Sequence, residues 1–351
     1  ITKNLGVDLG FFKNRLNVTA DFYIRDTKDM LTKAMTLPAV YGSSAPKTNA
    51  ADLSTRGYEV TVSWRDGFNL AGKPFNYGVS ASLGDYKTVI TKYDNESKLL
   101  SDHYVGKVLG DIWGYTTDGL FATDEEAAEY AANVNDKNAN KGVYAGKAPY
   151  NKLMAGDIKY VDVDGSGAID TGANTLDDPG DRKIIGNSKP RYNYSLRGDF
   201  QWMGIDFQMF FQGVGKISWM PAANCIYFWN TYSYHRPTFI PKDFAAKCWS
   251  DEEGADNSDV LYPRRRGRMS ASSYLVTSDY WLQDASYIRL KNLTVGYTLP
   301  LKTKAVEKVR FYFSGENLCY WSPMKKWTSE VDPEVATTSA TNDCVYPYPK
   351  T

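Results

Sequence analysis

The chain has 351 residues, of which 42% are hydrophobic and 14% aromatic, and its 41 basic side chains balance 41 acidic ones. Zero net charge removes the electrostatic case for a nucleic-acid partner or for attachment to an anionic membrane surface. No run of about 18 apolar residues occurs, which excludes a transmembrane helix and leaves membrane-crossing strands open.

The 26 tyrosines and 28 glycines suit a β-rich protein, since Tyr, Trp, Phe and Thr favour pleated surfaces. Period-two alternation recurs along the chain. In Leu16 to Ile24 the apolar set is Leu16, Val18, Ala20, Phe22 and Ile24, with Asn17, Thr19, Asp21 and Tyr23 facing the other way. Tyr58, Val60, Val62 and Trp64 alternate with Glu59, Thr61, Ser63 and Arg65 in the same manner, as do Ile205, Phe207, Met209 and Phe211 with Asp206 and Gln208.

Eight strands are expected, over residues 4–12, 15–31, 52–65, 74–92, 191–201, 204–214, 286–299 and 307–321. Between Arg289 and Leu293 the apolar phase slips by one residue, which predicts a bulge. Strands are joined alternately by short turns (FKN, RDGFNLAGK, MG, LKTKA) and by long connections of about 20, about 100 and about 70 residues. In an up-and-down meander alternate turns emerge at one end, so one end carries nearly all the loop mass. Long two-faced strands with that asymmetry predict an outer-membrane β-barrel rather than a soluble sandwich or propeller. Phe11, Phe12, Trp64, Tyr93, Trp202, Tyr320 and Trp321 lie near strand ends, where interfacial girdles form.

The long connections carry the chemistry. DVDGSGAID, residues 162–170, repeats the first nine positions of an EF-hand loop. Its expected ligands are Asp162, Asp164, Ser166, the carbonyl of Ala168, and Asp170 directly or through water. Position twelve is Ala173 where a bidentate Glu is expected, so Asp177, Asp178 or Asp181 would complete the shell. Hard oxygen ligands suit Ca²⁺. Residues 155–161 read as extended and DDPGDR as a turn, so the helix pair of a calcium sensor is not expected. The expectation is a structural calcium that braces a loop, against a bland acidic turn that binds nothing.

In the next long connection Trp219, Tyr227, Phe228, Trp229, Tyr232, Tyr234 and Phe239 form a dense aromatic set. Such rings stack on sugars or anchor interfaces, and in so long a loop they also pack a small core. Trp219, Tyr227, Trp229, Tyr232 and Tyr234 are the candidates for cargo or partner contact. Arg264, Arg265, Arg266 and Arg268 are expected to be solvated or paired within the loop, with anionic groups as the alternative ligand. No GxSxG, HExxH or P-loop occurs and His103 and His235 are the only histidines, so no catalytic set is expected.

Six stretches together resemble the SusC/RagA family of TonB-dependent outer-membrane transporters, known from Bacteroidetes. They are NLGVDLGFFKNRLNVTADFYIRDTKDML (4–31), GDIWGYTTDGLFATDEE (110–126), AGDIKYVDVDGSGAID (155–170), DRKIIGNSKPRYNYSLRGDF (181–200), ASYIRLKNLTVGYTLP (285–300) and VRFYFSGENL (309–318). The resemblance implies an all-β, 22-stranded antiparallel up-and-down barrel with an N-terminal plug. Residues 1–351 would be its C-terminal part, without the plug, the TonB-contacting segment, the first strands and the last strand. Residues 93–190 and 214–285 would then be long extracellular loops, the first with the calcium-like motif and the second rich in aromatics.

The family further implies import of oligosaccharides or peptides with a SusD-like lipoprotein lid, energy through TonB, and a wall set in outer-membrane lipid. Cys225 with Cys248, and Cys319 with Cys344, would be disulfides if all four lie outside the cell. The rival function is a secreted glycan-binding or glycan-cleaving β-protein with a structural calcium loop.

Overall fold

The computed structural model describes residues 1–33, 42, 47–223, 225–229, 232, 242–266, 276–301 and 306–336. Its strands are β1 (Thr2–Phe11), β2 (Leu16–Lys33), β3 (Lys47–Leu70), β4 (Lys73–Lys92), β5 (Asp111–Tyr115), β6 (Thr117–Leu120) and β7 (Ile158–Tyr160). They continue with β8 (Arg182–Asn187), β9 (Arg191–Trp202), β10 (Ile205–Lys216), β11 (Ser218–Trp219), β12 (Gln283–Asp284), β13 (Tyr287–Pro300) and β14 (Lys308–Trp321). The long strands form one sheet in the order β1-β2-β3-β4-β9-β10-β13-β14, all neighbours antiparallel. Six short strands pair as β5·β8, β6·β7 and β11·β12 within the long connections. All eight expected strands are present. The sheet is a meander that does not close on itself among the described residues, with β1 and β14 at its edges.

Cross-strand register explains why the sequence alternates. One row runs Leu9, Val18, Val62, Ala81, Leu196, Phe211, Leu290, Cys319 across all eight strands. The adjacent row runs Gly10, Asn17, Ser63, Ser80, Arg197, Phe210, Asn292, Glu316. Opposed residues share a face and the period is two, so the first row marks an apolar face and the second, Phe210 apart, a polar one. The apolar face is open: Leu9 is 47% exposed and Val62 40%, and no second sheet packs on it among the described residues. An open apolar face of this extent needs lipid as its solvent.

The short-turn edge of that face is marked. Toward the short-turn end Phe68, Phe75, Phe200 and Phe207 lie in sequence across four strands, with centroids 5.1, 5.7 and 5.1 Å apart, and Phe12 meets Trp64 edge-on at 6.0 Å. This is an aromatic girdle. Asp66 interrupts it on the same face, where Arg15 neutralises it at 3.1 Å.

The hairpin joining β3 and β4 is tighter than expected. Instead of turning over residues 65–73, β3 continues to Leu70, and only Ala71 (φ 50°) and Gly72 (φ 75°) turn. Met203 (φ 50°) and Gly204 (φ 85°) do the same between β9 and β10; two successive positive φ values give the turn whose twist matches antiparallel strands. At Gly204 a Cβ would sit 2.6 Å from the Thr298 carbonyl oxygen, so glycine is required. The expected slip in β13 is a bulge: Phe210 opposes Asn292 and Phe211 opposes Leu290, leaving Lys291 unmatched.

Candidate functional site

Among the described residues, large side chains that are fully buried lie almost wholly in the connections, at the end away from the short turns; Arg289 is the exception on a long strand. Residues 93–190 fold around the β5·β8 and β6·β7 ribbons and helix α1 (Asp124–Asn133). Thr123 caps α1, its hydroxyl accepting from the Glu126 amide at 3.2 Å, while the Glu126 carboxylate accepts from the Ala122 amide at 2.8 Å. The T-x-x-E spacing of Thr123 and Glu126 is a capping-box signature, a local signal in the sequence for this helix.

The acidic turn is built by its own backbone. Asp162 accepts from the amides of Gly165, Ser166 and Gly167 at 2.8, 3.2 and 2.8 Å. Asp164 accepts from the Ser166 amide at 2.9 Å. Asp181, fully buried, returns at the head of β8 and accepts from the amides of Val163 at 2.7 Å and Asp170 at 2.8 Å. Carboxylate oxygens of Asp162, Asp164 and Asp181 lie within 4.8 Å of one another. Each oxygen has two lone pairs, so these amide bonds leave capacity for a cation.

Burial pushes the Asp181 carboxyl above the usual carboxylate range; the amides of Asp170 and Val163 oppose this, and the nearby Asp164 and Asp162 charges add to it. A bound cation would reverse that rise. The other expected ligands are engaged elsewhere: the Ser166 hydroxyl donates to the Ala168 carbonyl at 3.2 Å, and Asp170 accepts from the Gly172 amide at 2.7 Å. Of the three carboxylates considered for completing the shell, Asp181 joins the cluster, while Asp178 caps the Ala173 amide at 2.9 Å. The residues present therefore fit a hard cation through three carboxylates.

The aromatic connection packs inward. Phe228 (0% exposed) touches the rings of Trp219, Trp229, Tyr262, Trp281 and Trp327 at 5.9, 5.0, 6.1, 6.3 and 5.4 Å between centroids. Tyr262 donates its hydroxyl to the Phe228 carbonyl at 2.6 Å, and Tyr232 bonds the Pro263 carbonyl. Trp219, Trp229 and Tyr232 are no more than 2% exposed, so the expectation that they contact cargo or a partner is corrected. Enough apolar ring area lies in one connection to form a core of its own. The Tyr227 side chain and Tyr234 lie outside the described residues. Replacing Phe228 by Ala is expected to destabilise this loop core by about 3–5 kcal/mol, seen as faster cleavage within residues 217–286 under limited proteolysis with barrel strands intact.

Arginines 264 and 266 serve the same packing. Arg266 forks onto Asp157, its Nε 2.9 Å from Oδ1, with both side chains buried; Arg264 bonds Asp251 at 2.5 Å and lies 4.7 Å over the Trp249 ring. Pairing within the loop is thus the outcome for Arg264 alone; Arg266 instead ties this connection to the 93–190 connection, and Arg268 lies outside the described residues. Cys225 and Cys248 are not bridged: Cys225 is buried in the aromatic core, and the Cys248 thiol donates to the Phe244 carbonyl at 3.2 Å. That corrects the first expected disulfide; Cys344 of the second lies outside the described residues.

Residues 322–336 fold back onto this assembly. Asp332 (0% exposed) accepts both bonds of a fork from the Arg289 guanidinium at 2.5 and 2.6 Å, and Arg289 lies 4.8 Å over the Tyr320 ring. Glu334 is 2.9 Å from Arg289 Nε and 2.6 Å from the ammonium of Lys291, the bulged residue of β13.

No family model matches the chain. It is 26% identical over 331 residues to TonB-dependent receptor P3 of Formosa agariphila, covering 90% of this chain and 29% of that protein. It is 24% identical to TonB-dependent receptor SusC of Bacteroides thetaiotaomicron, covering 99% of this chain and 30% of that one. The chain therefore spans about a third of the length of the curated relatives it matches. Its fold matches the RagAB peptide importer in the open-open state with a TM-score of 0.65 and 18% identity, over 99% of this chain and 33% of that one. The relatives are receptors rather than enzymes, and in sequence and in its two-faced meander this chain is similar to the SusC/RagA family of TonB-dependent outer-membrane proteins.

Proposed function

We propose that the chain forms the C-terminal wall and outer mouth of a transporter that imports oligosaccharides or peptides, under a SusD-like lipoprotein lid and with energy delivered through TonB. The observation that carries this reading is the unbroken apolar row over all eight strands, backed by a polar row and capped at one end by nearly all the packed loops. In that role these residues are passive: the strands seal the wall against lipid and the loops hold the mouth open at a fixed shape. The relatives' names support import in general, and RagAB is by name a peptide importer. Growth of a deletion strain on single glycans and peptides tests the reading. Loss of growth on one class, restored by the intact gene, is expected; unchanged growth and uptake on every substrate would overturn it.

Within the 93–190 loop, Asp162, Asp164 and Asp181 would hold one Ca²⁺, which would supply rigidity and no chemistry. Its role is bracing: Asp181 ties the head of β8 to the turn, and the Ile169 and Asn135 backbones pair beside it. Isothermal titration of the whole protein should show one Ca²⁺ site that disappears in the Asp162→Ala/Asp164→Ala variant; no heat from the parent protein would defeat this assignment.

A further inference from the structure

On β3 the apolar face from Phe68 to Tyr58 spans about 33 Å of strand, or about 25 Å of height at a tilt of about 40°, which is the height of a barrel's lipid-facing band. The next outward-facing row toward the loops is Lys3, Ile24, Arg56, Lys87 on the four successive strands β1 to β4. All three cations are exposed. Arg56 and Lys87 stand directly opposite each other, an arrangement that costs stability unless an anion lies between them.

The carboxylates on the same face are already engaged. Asp85, one row nearer the membrane centre, is forked by Arg191 at 2.5 Å through each oxygen, and Asp26, one row outward, accepts from the Ser54 hydroxyl at 2.7 Å. None of Lys3, Arg56 and Lys87 has an ion-pair partner among the described residues.

We propose that Lys3, Arg56 and Lys87 form a site on the outer wall for the phosphate of an outer-leaflet glycolipid headgroup, whose acyl chains lie along the apolar rows below. A guanidinium and an ammonium on adjacent strands grip a phosphate from two sides, and the neighbouring row of Leu5, Phe22 and Tyr58 receives hydrocarbon. The assignment is independent of the cargo; it rests on the reading that the apolar face meets lipid with the loops outside.

The test uses the full-length protein purified in mild detergent and offered nanodiscs of bis-phosphorylated lipid A, of its dephosphorylated form, or inorganic phosphate alone. Bound lipid is counted by native mass spectrometry. The parent protein should retain the phosphorylated lipid, and the Lys3→Ala/Arg56→Ala/Lys87→Ala variant should retain it about a hundredfold less, given about a fivefold loss per basic residue removed. The charge-conserving Arg56→Lys/Lys87→Arg protein should bind as the parent does. Equal retention by parent and alanine variant, equal retention of dephosphorylated lipid, or saturation by inorganic phosphate would each overturn the site. Heat-modifiable migration of the variant from outer-membrane fractions separates loss of this site from failure of the barrel reading, since only the latter removes the protein from the membrane.

Discussion

Val62→Arg is expected to destabilise the barrel by about 2–4 kcal/mol, whereas Ser63→Arg, one residue along the same strand, is expected to be nearly neutral. Val62 sits between Val18 and Ala81 in the outward row, midway along the band, where an arginine meets hydrocarbon on the lipid side. Ser63 lies between Asn17 and Ser80 on the polar face, where a charge stays hydrated. Urea unfolding of the refolded full-length protein in lipid vesicles measures both. A similar cost at the two positions would mean that the two faces do not see different solvents.

Asp332→Ala is the second change with a large expected effect. Arg289 and Asp332 are 1% and 0% exposed, so removing the carboxylate leaves a guanidinium buried with part of its bonding lost, at a cost of about 3–5 kcal/mol. Glu334 still balances the charge but is shared with Lys291, and it cannot reproduce the two-oxygen fork. Residues 322–336 should detach from the loop cluster and become the first site of proteolytic cleavage. Glu334→Ala, which removes a more exposed partner, should have a smaller effect on the same digest. If cleavage begins elsewhere in Asp332→Ala, this ion pair does not hold the segment.

The long strands were legible because their pattern is local. A strand in a barrel wall faces two solvents with no intervening layer, so each side chain records its own environment, and the slip between Arg289 and Leu293 could be read as a bulge before any pairing was known. The misread hairpin at residues 65–73 has the same physics. Asp66 and Gly67 look like turn residues, yet β3 runs through them, pairing with Tyr77 and Asn76 of β4, and Arg15, 51 positions away, neutralises Asp66. Sequence spacing does not announce that partner.

The loop chemistry was legible only in part. The DVDGSGAID spacing marked Asp162 and Asp164, but the third carboxylate depended on where β8 begins, and this places Asp181 rather than Asp178 beside them. The aromatic run gave the opposite difficulty. An exposed binding surface and a small core have the same composition, and the difference lies in Trp281 and Trp327, which approach Phe228 from distant parts of the chain. The expected Cys225–Cys248 disulfide rests on both thiols lying outside the cell, whereas packing places Cys225 in that core.

The central claim, that the meander is a membrane wall with alternating faces, is tested most directly by single cysteines placed one at a time at positions 59–64 of the full-length protein in outer membranes. Residues 60, 62 and 64 should react with a membrane-restricted maleimide and resist a charged, water-soluble one, while 59, 61 and 63 should show the reverse preference. Uniform reactivity with the water-soluble reagent at all six positions would contradict the account.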